Sequence, residues 1–506
     1  MKNIEVKKLV PYVAVMIMCM SVTACGQSTT TSTTSEDTIV STEEALTGND
    51  GTSSAEGQID GEAPENGEVP EKPDGEAPEG QPGEKPDGAP DGPGGGFGGG
   101  GMSSADIDYA GAATITSADS QNGETYSSET ADESALLIAT SEEVTITDPT
   151  VTKTGDSDGG DNCNFYGLNA AVLVKDGSVT TITGGTITSD ADGANGVFSY
   201  GGNGAQNGAG GDGTTVYISD TEITTTGDGS GGIMTTGGGI TNAKNLTVTT
   251  SGRSSAAIRT DRGGGTVVVD GGSYTTNGLG SPSIYSTADI TVSNATLVSN
   301  LSEAVCIEGM NSIKLTNCDM TANNTQMNGN ATFLDSIMIY QSMSGDADSG
   351  TSTFDMEGGS LTSKNGHVFH VTNTNAVINL NNVKIINEDS DNILLSVCDD
   401  GWNGADNIAT VNVTDQTLEG TILVGSNATL TLNLSDGSSF TGSISGEITS
   451  AKGDTVSTKV GEVNVSLDDS STWTLTADTY ISSFEGDVSN IVSNGYTLYV
   501  NGEAVN

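Results

Sequence analysis

"TITGGTITSD", Thr181 to Asp190, sets two glycines between short runs of alternating Thr and Ile. Alternation with a period of two marks a β-strand with one buried face. Two such strands joined by Gly-Gly form a corner, because glycine enters the left-handed backbone region without steric penalty. The same six-residue figure returns down the chain: "ITDPTV" from Ile146, "ITGGTI" from Ile182, "ISDTEI" from Ile218, "AKNLTV" from Ala243, "VDGGSY" from Val269, "VSNATL" from Val292, "LTNCDM" from Leu315, "MEGGSL" from Met356, "LNNVKI" from Leu380 and "VTDQTL" from Val413. Its third position is always Gly, Asn or Asp, the residues that tolerate positive φ.

Successive figures start 23 to 41 residues apart, with most spacings in the twenties and the longer ones carrying Gly- and Asp-rich inserts. A recurrent unit of that size predicts a solenoid in which each coil stacks on the last. The fold class expected is all-β, a single-stranded parallel β-helix. A β-sandwich also has short strands and turns, but it does not require one hexamer in one register ten times.

A second strand follows each corner. Aligning "AAVLVK", "NGVFSY", "GGIMTT", "AAIRTD", "PSIYST", "EAVCIE", "DSIMIY", "GHVFHV" and "GTILVG" gives one β-branched column: Val172, Val197, Ile233, Ile258, Ile284, Val305, Ile337, Val368 and Ile422. That column is the expected interior. Alternation turns the next column outward: Leu173, Phe198, Met234, Arg259, Tyr285, Cys306, Met338 and Phe369, with Tyr200, Asp261 and Tyr340 two residues further on. In a chain with 4% aromatic residues, aromatics concentrated on an outer face suggest a platform where sugar rings stack on Phe198, Tyr200, Tyr285 and Tyr340 while Arg259 and Asp261 bond hydroxyls. The alternative is that inserted loops fold over this face and make it a second core.

The net charge of −51 excludes nucleic acid as an expected partner, since its phosphates demand Lys and Arg, and excludes electrostatic docking on anionic lipid. At the start, Lys2, Lys7 and Lys8 precede the apolar run "LVPYVAVMIMCM", and "VTAC" ends at Cys25. The run is short and broken by Pro11, a signal segment rather than a membrane span. From residue 25 to 102, Ser/Thr-rich and then Pro-, Gly- and Glu-rich sequence cannot bury a core and reads as a disordered acidic tether. The β-helix is expected over 103–470, with its end cap over 471–506.

The acidic inserts offer oxygen ligands suited to Ca²⁺, foremost Asp156, Asp158 and Asp161 in "GDSDGGDN", although none matches the twelve-residue calcium loop. Solvated turns are the plainer reading, and no cofactor is required. Nucleophilic chemistry has little support: only His367 and His370 exist, and no G-x-S-x-G elbow is present. Cys163, Cys306, Cys318 and Cys398 lack metal-type spacing; they serve as fillers, or Cys306 pairs with Cys318.

"VTAC" resembles the lipobox of bacterial lipoproteins, with Val22 where Leu is commoner. That resemblance implies lipidation of Cys25 and a chain held on the extracellular side of the cell membrane through its lipid anchor alone. The coiled hexamers from about Val144 onward resemble right-handed β-helix surface proteins, both pectate-lyase-like enzymes and autotransporter-type adhesin passengers. The segment "STWTLTADTYISSFEGDVSNIVSNGYTLYVNG", Ser471 to Gly502, looks like a passenger's end cap, with Trp473 as plug. The lyases hold calcium on carboxylates of adjacent coils beside a basic residue. Here Arg259, Asp261 and Arg262 have Thr236 and Thr287 as aligned neighbours, with Glu308 two coils away, so the carboxylate cluster is missing. Asp399 and Asp400 are adjacent and point to opposite faces unless a bend intervenes. The expected function is therefore binding of an extracellular polysaccharide or surface glycan, as an adhesin or carbohydrate-binding scaffold. A polysaccharide lyase is the alternative, and a passive stalk the third reading.

Overall fold

The computed structural model describes residues 107–203, 210–342, 346–402 and 407–506. Cys25, and the stretch 25–102 expected as a tether, lie outside the described residues. Two long parallel sheets carry the fold. The first has fifteen strands, from Ala110–Ile115 to Ile491–Val492, one for each coil. The second has twenty-two, because in most coils it is made of two legs with a corner between them. The chain is a parallel β-helix.

The corner is the hexamer. All ten third positions have positive φ: Asp148, Gly184, Asp220, Asn245, Gly271, Asn294, Asn317, Gly358, Asn382 and Asp415. Gly184 needs its missing side chain for a second reason, since a Cβ there would stand 2.1 Å from the Asp148 carboxylate of the coil below. The two legs, Val179–Thr183 and Thr186–Ser189, then pair in parallel with Thr215–Ser219 and Glu222–Thr225. Ile182 and Ile187 point inward, both buried, and stack on Ile218 and Ile223. Repeated over the coils, this makes one continuous core. Each buried Ile or Val contributes about 1.5–3 kcal/mol, so a chain with few aromatics still acquires a core from many small apolar side chains.

The inner column of the first sheet runs as expected from Val172 to Ile337, each residue the register partner of the next. One coil departs. Ile337 pairs with Phe369 and Met338 with His370, so the expected inward place of Val368 and outward place of Phe369 are corrected by one residue. A slip of one exchanges faces. Phe369 packs into the core against Phe354, ring centroids 5.7 Å apart, and His370 takes the outer position. The physical reason is volume inside and polarity outside: a ring fills the interior at this coil, and the imidazole finds hydrogen-bond partners above the sheet.

On the outside of the second sheet, side-chain amides continue the stacking. Asn379 donates to Asp355, Asn412 to Asn379 and Asn433 to Asn412, at 2.5, 2.8 and 2.8 Å. The end segment 471–506 supplies two further strands of the first sheet, Thr472–Leu475 and Ile491–Val492, followed by a small sheet that contains an antiparallel pair. Trp473 is fully buried, stacked on Phe440 at 5.6 Å, and donates its indole N–H to the Gly442 carbonyl at 3.1 Å. All four described cysteines are free; Cys318 lies in the interior and Cys306 in the outer layer, so the two do not pair.

Candidate functional site

The outer column does face away from the interior, but loops cover it. Phe198 and Tyr200 are 0% and 2% exposed, Arg259 8%, Asp261 2%, Tyr285 7% and Tyr340 3%. An open aromatic platform on these residues is thereby corrected. The covering begins with the helix Asp161–Tyr166, where the sequence reading had placed only an acidic turn. Phe165 and Tyr166 from this helix pack with Phe198, Tyr200, Leu173 and Met234, and the Tyr166 and Tyr200 rings meet edge-on at 5.8 Å. Gly167 ends the helix in the left-handed region, and a Cβ there would press to 2.7 Å on Leu173.

Beyond the helix the layer is polar. Arg259 Nη2 donates to Asp261 Oδ2 at 2.6 Å, its Nη1 donates to Asn164 Oδ1 and to the Ser254 carbonyl, and its guanidinium lies over the Tyr285 ring. Arg262 pairs with Asp346 at 2.6 Å and stacks on Phe165 at 4.1 Å. Burial pushes the Asp261 carboxyl up to about 7; the Arg259 charge opposes that rise, and Asp346 adds to it. One coil pair further, Glu308 accepts from Tyr285 at 2.5 Å, from Tyr340 at 3.2 Å and from Ser342. Trp402 covers Tyr340 at 4.9 Å. The sequence noted Glu308 only as distant from Asp261. What joins them is Tyr285, whose hydroxyl bonds Glu308 and whose ring lies against Arg259, the ion-pair partner of Asp261.

At Thr287 the cover opens into a pocket of about 350 Å³. Thr287 is 6% exposed and lines the pocket, and its Oγ1 has no hydrogen-bond partner. The walls are Gly210, Gly238, Gly264 and Gly265, whose lack of side chains brings backbone to the cavity surface. Asp289, Asn311 and Asp348 supply polar groups, and Met310, more than half exposed, supplies an apolar one. The lining is mostly glycine backbone and polar groups, with Met310 its largest apolar side chain.

The expected calcium residues are not gathered. Asp156 accepts the Asp192 backbone N–H at 2.9 Å, the first rung of a ladder that continues from Asp192 to Asp228 and from Asp228 to Arg253. Asp158 is exposed in the turn, and Asp161 opens the helix. Among the described residues, no three His, Cys, Asp or Glu side chains converge as a metal centre.

A second cluster went unnoticed in the sequence because its members are far apart there. Ser396 Oγ lies 2.7 Å from Nδ1 of both His367 and His370, and His370 Nε2 lies 3.2 Å from Asp400. With His370 donating from Nε2 to Asp400, its Nδ1 accepts from Ser396, whose oxygen then accepts from His367. Asp400 also accepts from the Thr332 backbone N–H and hydroxyl. Burial and His370 hold the His367 imidazole down at about 3, hence neutral. This is a Ser-His-Asp line, yet Ser396 and His370 are fully buried under Phe333. It ties the segments bearing Asp400 and Thr332 to two neighbouring strands of the first sheet. Asp399 has separate partners: it accepts from Asn407 and Asn427.

No known protein family, curated protein or solved structure matches the chain.

Proposed function

We propose that this protein is a lipid-anchored β-helical scaffold at the cell surface that binds extracellular glycan, with a sugar seated in the glycine-walled pocket over Thr287. The observation that carries the reading is the Thr287 hydroxyl. The Thr287 side chain lines the pocket, while its hydroxyl oxygen is buried and has no partner in the protein, and an unmet hydroxyl is costly unless a ligand or water completes it. Carboxylates and an amide at Asp289, Asp348 and Asn311 suit sugar hydroxyls, and Met310 offers an apolar surface to a ring face. The acidic composition favours a neutral glycan over an acidic one. The packed side chains of Arg259, Asp261, Tyr285 and Glu308 are not part of the pocket's lining.

The test has a cellular and a solution arm. Cys25→Ala releases the protein into the medium or leaves it unprocessed; unchanged, processed membrane retention refutes the anchor. A glycan array identifies a ligand, and titration then compares the parent with Thr287→Val, which weakens binding about tenfold, near 1.4 kcal/mol. Equal affinity in Thr287→Val places the site elsewhere. Appearance of unsaturated, absorbing sugar ends makes the protein a lyase, and silence on every glycan leaves the stalk.

A further inference from the structure

The segment that crosses the outer layer between Ala322 and Asp335 covers two acids that have no base. Glu303 and Asp335 are 7% and 1% exposed. They lie on adjacent coils, each two residues before the register pair Val305 and Ile337. No Lys or Arg among the described residues forms an ion pair with either of them. The charges that act most on Asp335 are Glu303 and Asp400, both acids. His367, its register partner on the following coil, is turned to Ser396. Two carboxylates this close in a dry environment cannot both stay ionised unless a cation joins them.

Asn324 completes the group. It is 1% exposed, its amide nitrogen donates to the Asp335 carbonyl at 3.2 Å, and its side chain bonds Glu303. Two oxygens nearby are left over: Asn324 Oδ1 and Asp335 Oδ1 are buried and have no hydrogen-bond partner. A half turn of the Asn324 amide exchanges its nitrogen for its oxygen, which then faces Glu303 and the Asp335 carbonyl. The donor set becomes Glu303, Asp335 and an amide carbonyl, all hard oxygens with no imidazole or thiol. That set selects Ca²⁺ over zinc and the other borderline metals.

We propose that Glu303, Asp335 and Asn324 form a calcium site that pins the covering segment onto the outer column. Backbone carbonyls or water fill the remaining coordination positions. The site stands apart from the pocket over Thr287, and its ligands come from two coils and from the cover itself. Calcium therefore holds the loop down, whereas its removal frees the loop while the inner column stays packed.

The experiment uses the intact protein, stripped with chelator, titrated with Ca²⁺ alone in a calorimeter and melted with and without the ion. Binding near one equivalent is expected, with a higher melting temperature at pH 7.5. Both effects are lost in Glu303→Gln and in Asp335→Asn, which keep shape, and retained in Asp156→Asn. Absence of calcium binding overturns the proposal, as does binding that survives both ligand variants or that disappears in Asp156→Asn. Stability that ignores calcium and rises on acidification also overturns it, and identifies a pair of carboxyls sharing one proton. Should either ligand variant fail to fold, protease cleavage of the parent between Ala322 and Asp335 decides: calcium protects that segment if the proposal holds and leaves cleavage unchanged if it does not.

Discussion

The strand column from Val172 to Ile337 is buried on both faces, and each face is buried by different means. Inside, every coil contributes the same kind of side chain, and Val172, Val197, Ile233, Ile258, Ile284, Val305 and Ile337 stack as one apolar ladder. Outside, Leu173, Phe198, Met234, Arg259, Tyr285, Cys306 and Met338 occupy the equivalent places, and they fall into two separate apolar clusters with the Arg259 ion pair between them. The inner face is closed by the fold's own repetition. The outer face is closed by irregular segments that bring specific partners: Phe165 and Tyr166 for Phe198 and Tyr200, Asn164 for Arg259, Ser342 for Glu308, Thr332 for Asp400. A repeated interior depends on volume alone, whereas a varied exterior must pair each charge separately.

The comparison breaks most sharply at Ile258. Ile258→Asp buries an unpaired carboxylate in the ladder and abolishes folding, which circular dichroism and a cooperative melt would read out. A soluble, β-rich, cooperatively melting variant contradicts the assigned faces.

A smaller loss follows at the neighbouring position. Arg259→Ala leaves Asp261 without its ion-pair partner and costs about 3–5 kcal/mol, while the double variant with Asp261→Asn recovers part of it. Denaturant titration of the four proteins measures the coupling. Strictly additive losses would mean that the pair is not a unit.

The smallest effect separates two parts of the outer layer by pH. Asp261 has its pKa raised from 3.8 to about 7 on folding, so its contribution is fully present below 3.8 and is lost as pH rises toward 7. His367 is lowered from 6.5 to about 3, so its contribution is present above 6.5 and is lost as pH falls toward 3. Between pH 4 and 6.5 the two oppose one another, each with a slope of at most about 1.4 kcal/mol per pH unit. Asp261→Asn therefore makes stability rise more steeply with pH in this window, and His367→Gln makes it rise less steeply or fall. The same pH response in both variants removes the assignment.

Some of this was legible before any coordinates. The ten hexamers located ten corners but not those at Gly123 and Asp436, and their anchors Ile146, Ile182, Ile218 and the rest are all inside, because period-two burial and positive φ are local demands written into consecutive residues. The inner column was readable for the same reason until Phe369, where "GHVFHV" offers apolar residues in both phases and only the stacked partner chooses between them. The outer column was legible as a set of residues, but whether it formed an open platform or a covered second core was not. What covers it is the helix Asp161–Tyr166, the segment around Asn324 and the loop bearing Trp402, and these lie tens of residues away with no periodicity to announce them.

The amino-acid sequence determined the architecture of this protein: a β-branched residue at a fixed place in each coil and a turn residue at each corner suffice, since every coil meets its neighbours in the same way. The tertiary structure alone decided which side chains meet above the sheet. Thr287 at its pocket, Ser396 between two histidines, and Glu303 beside Asp335 are brought together by loops of unequal length crossing a regular surface. Where contacts are made between neighbours in a repeat, local pattern encodes them. Where they are made across insertions, their partners are set by the geometry of the folded chain, and the chemistry is set there as well.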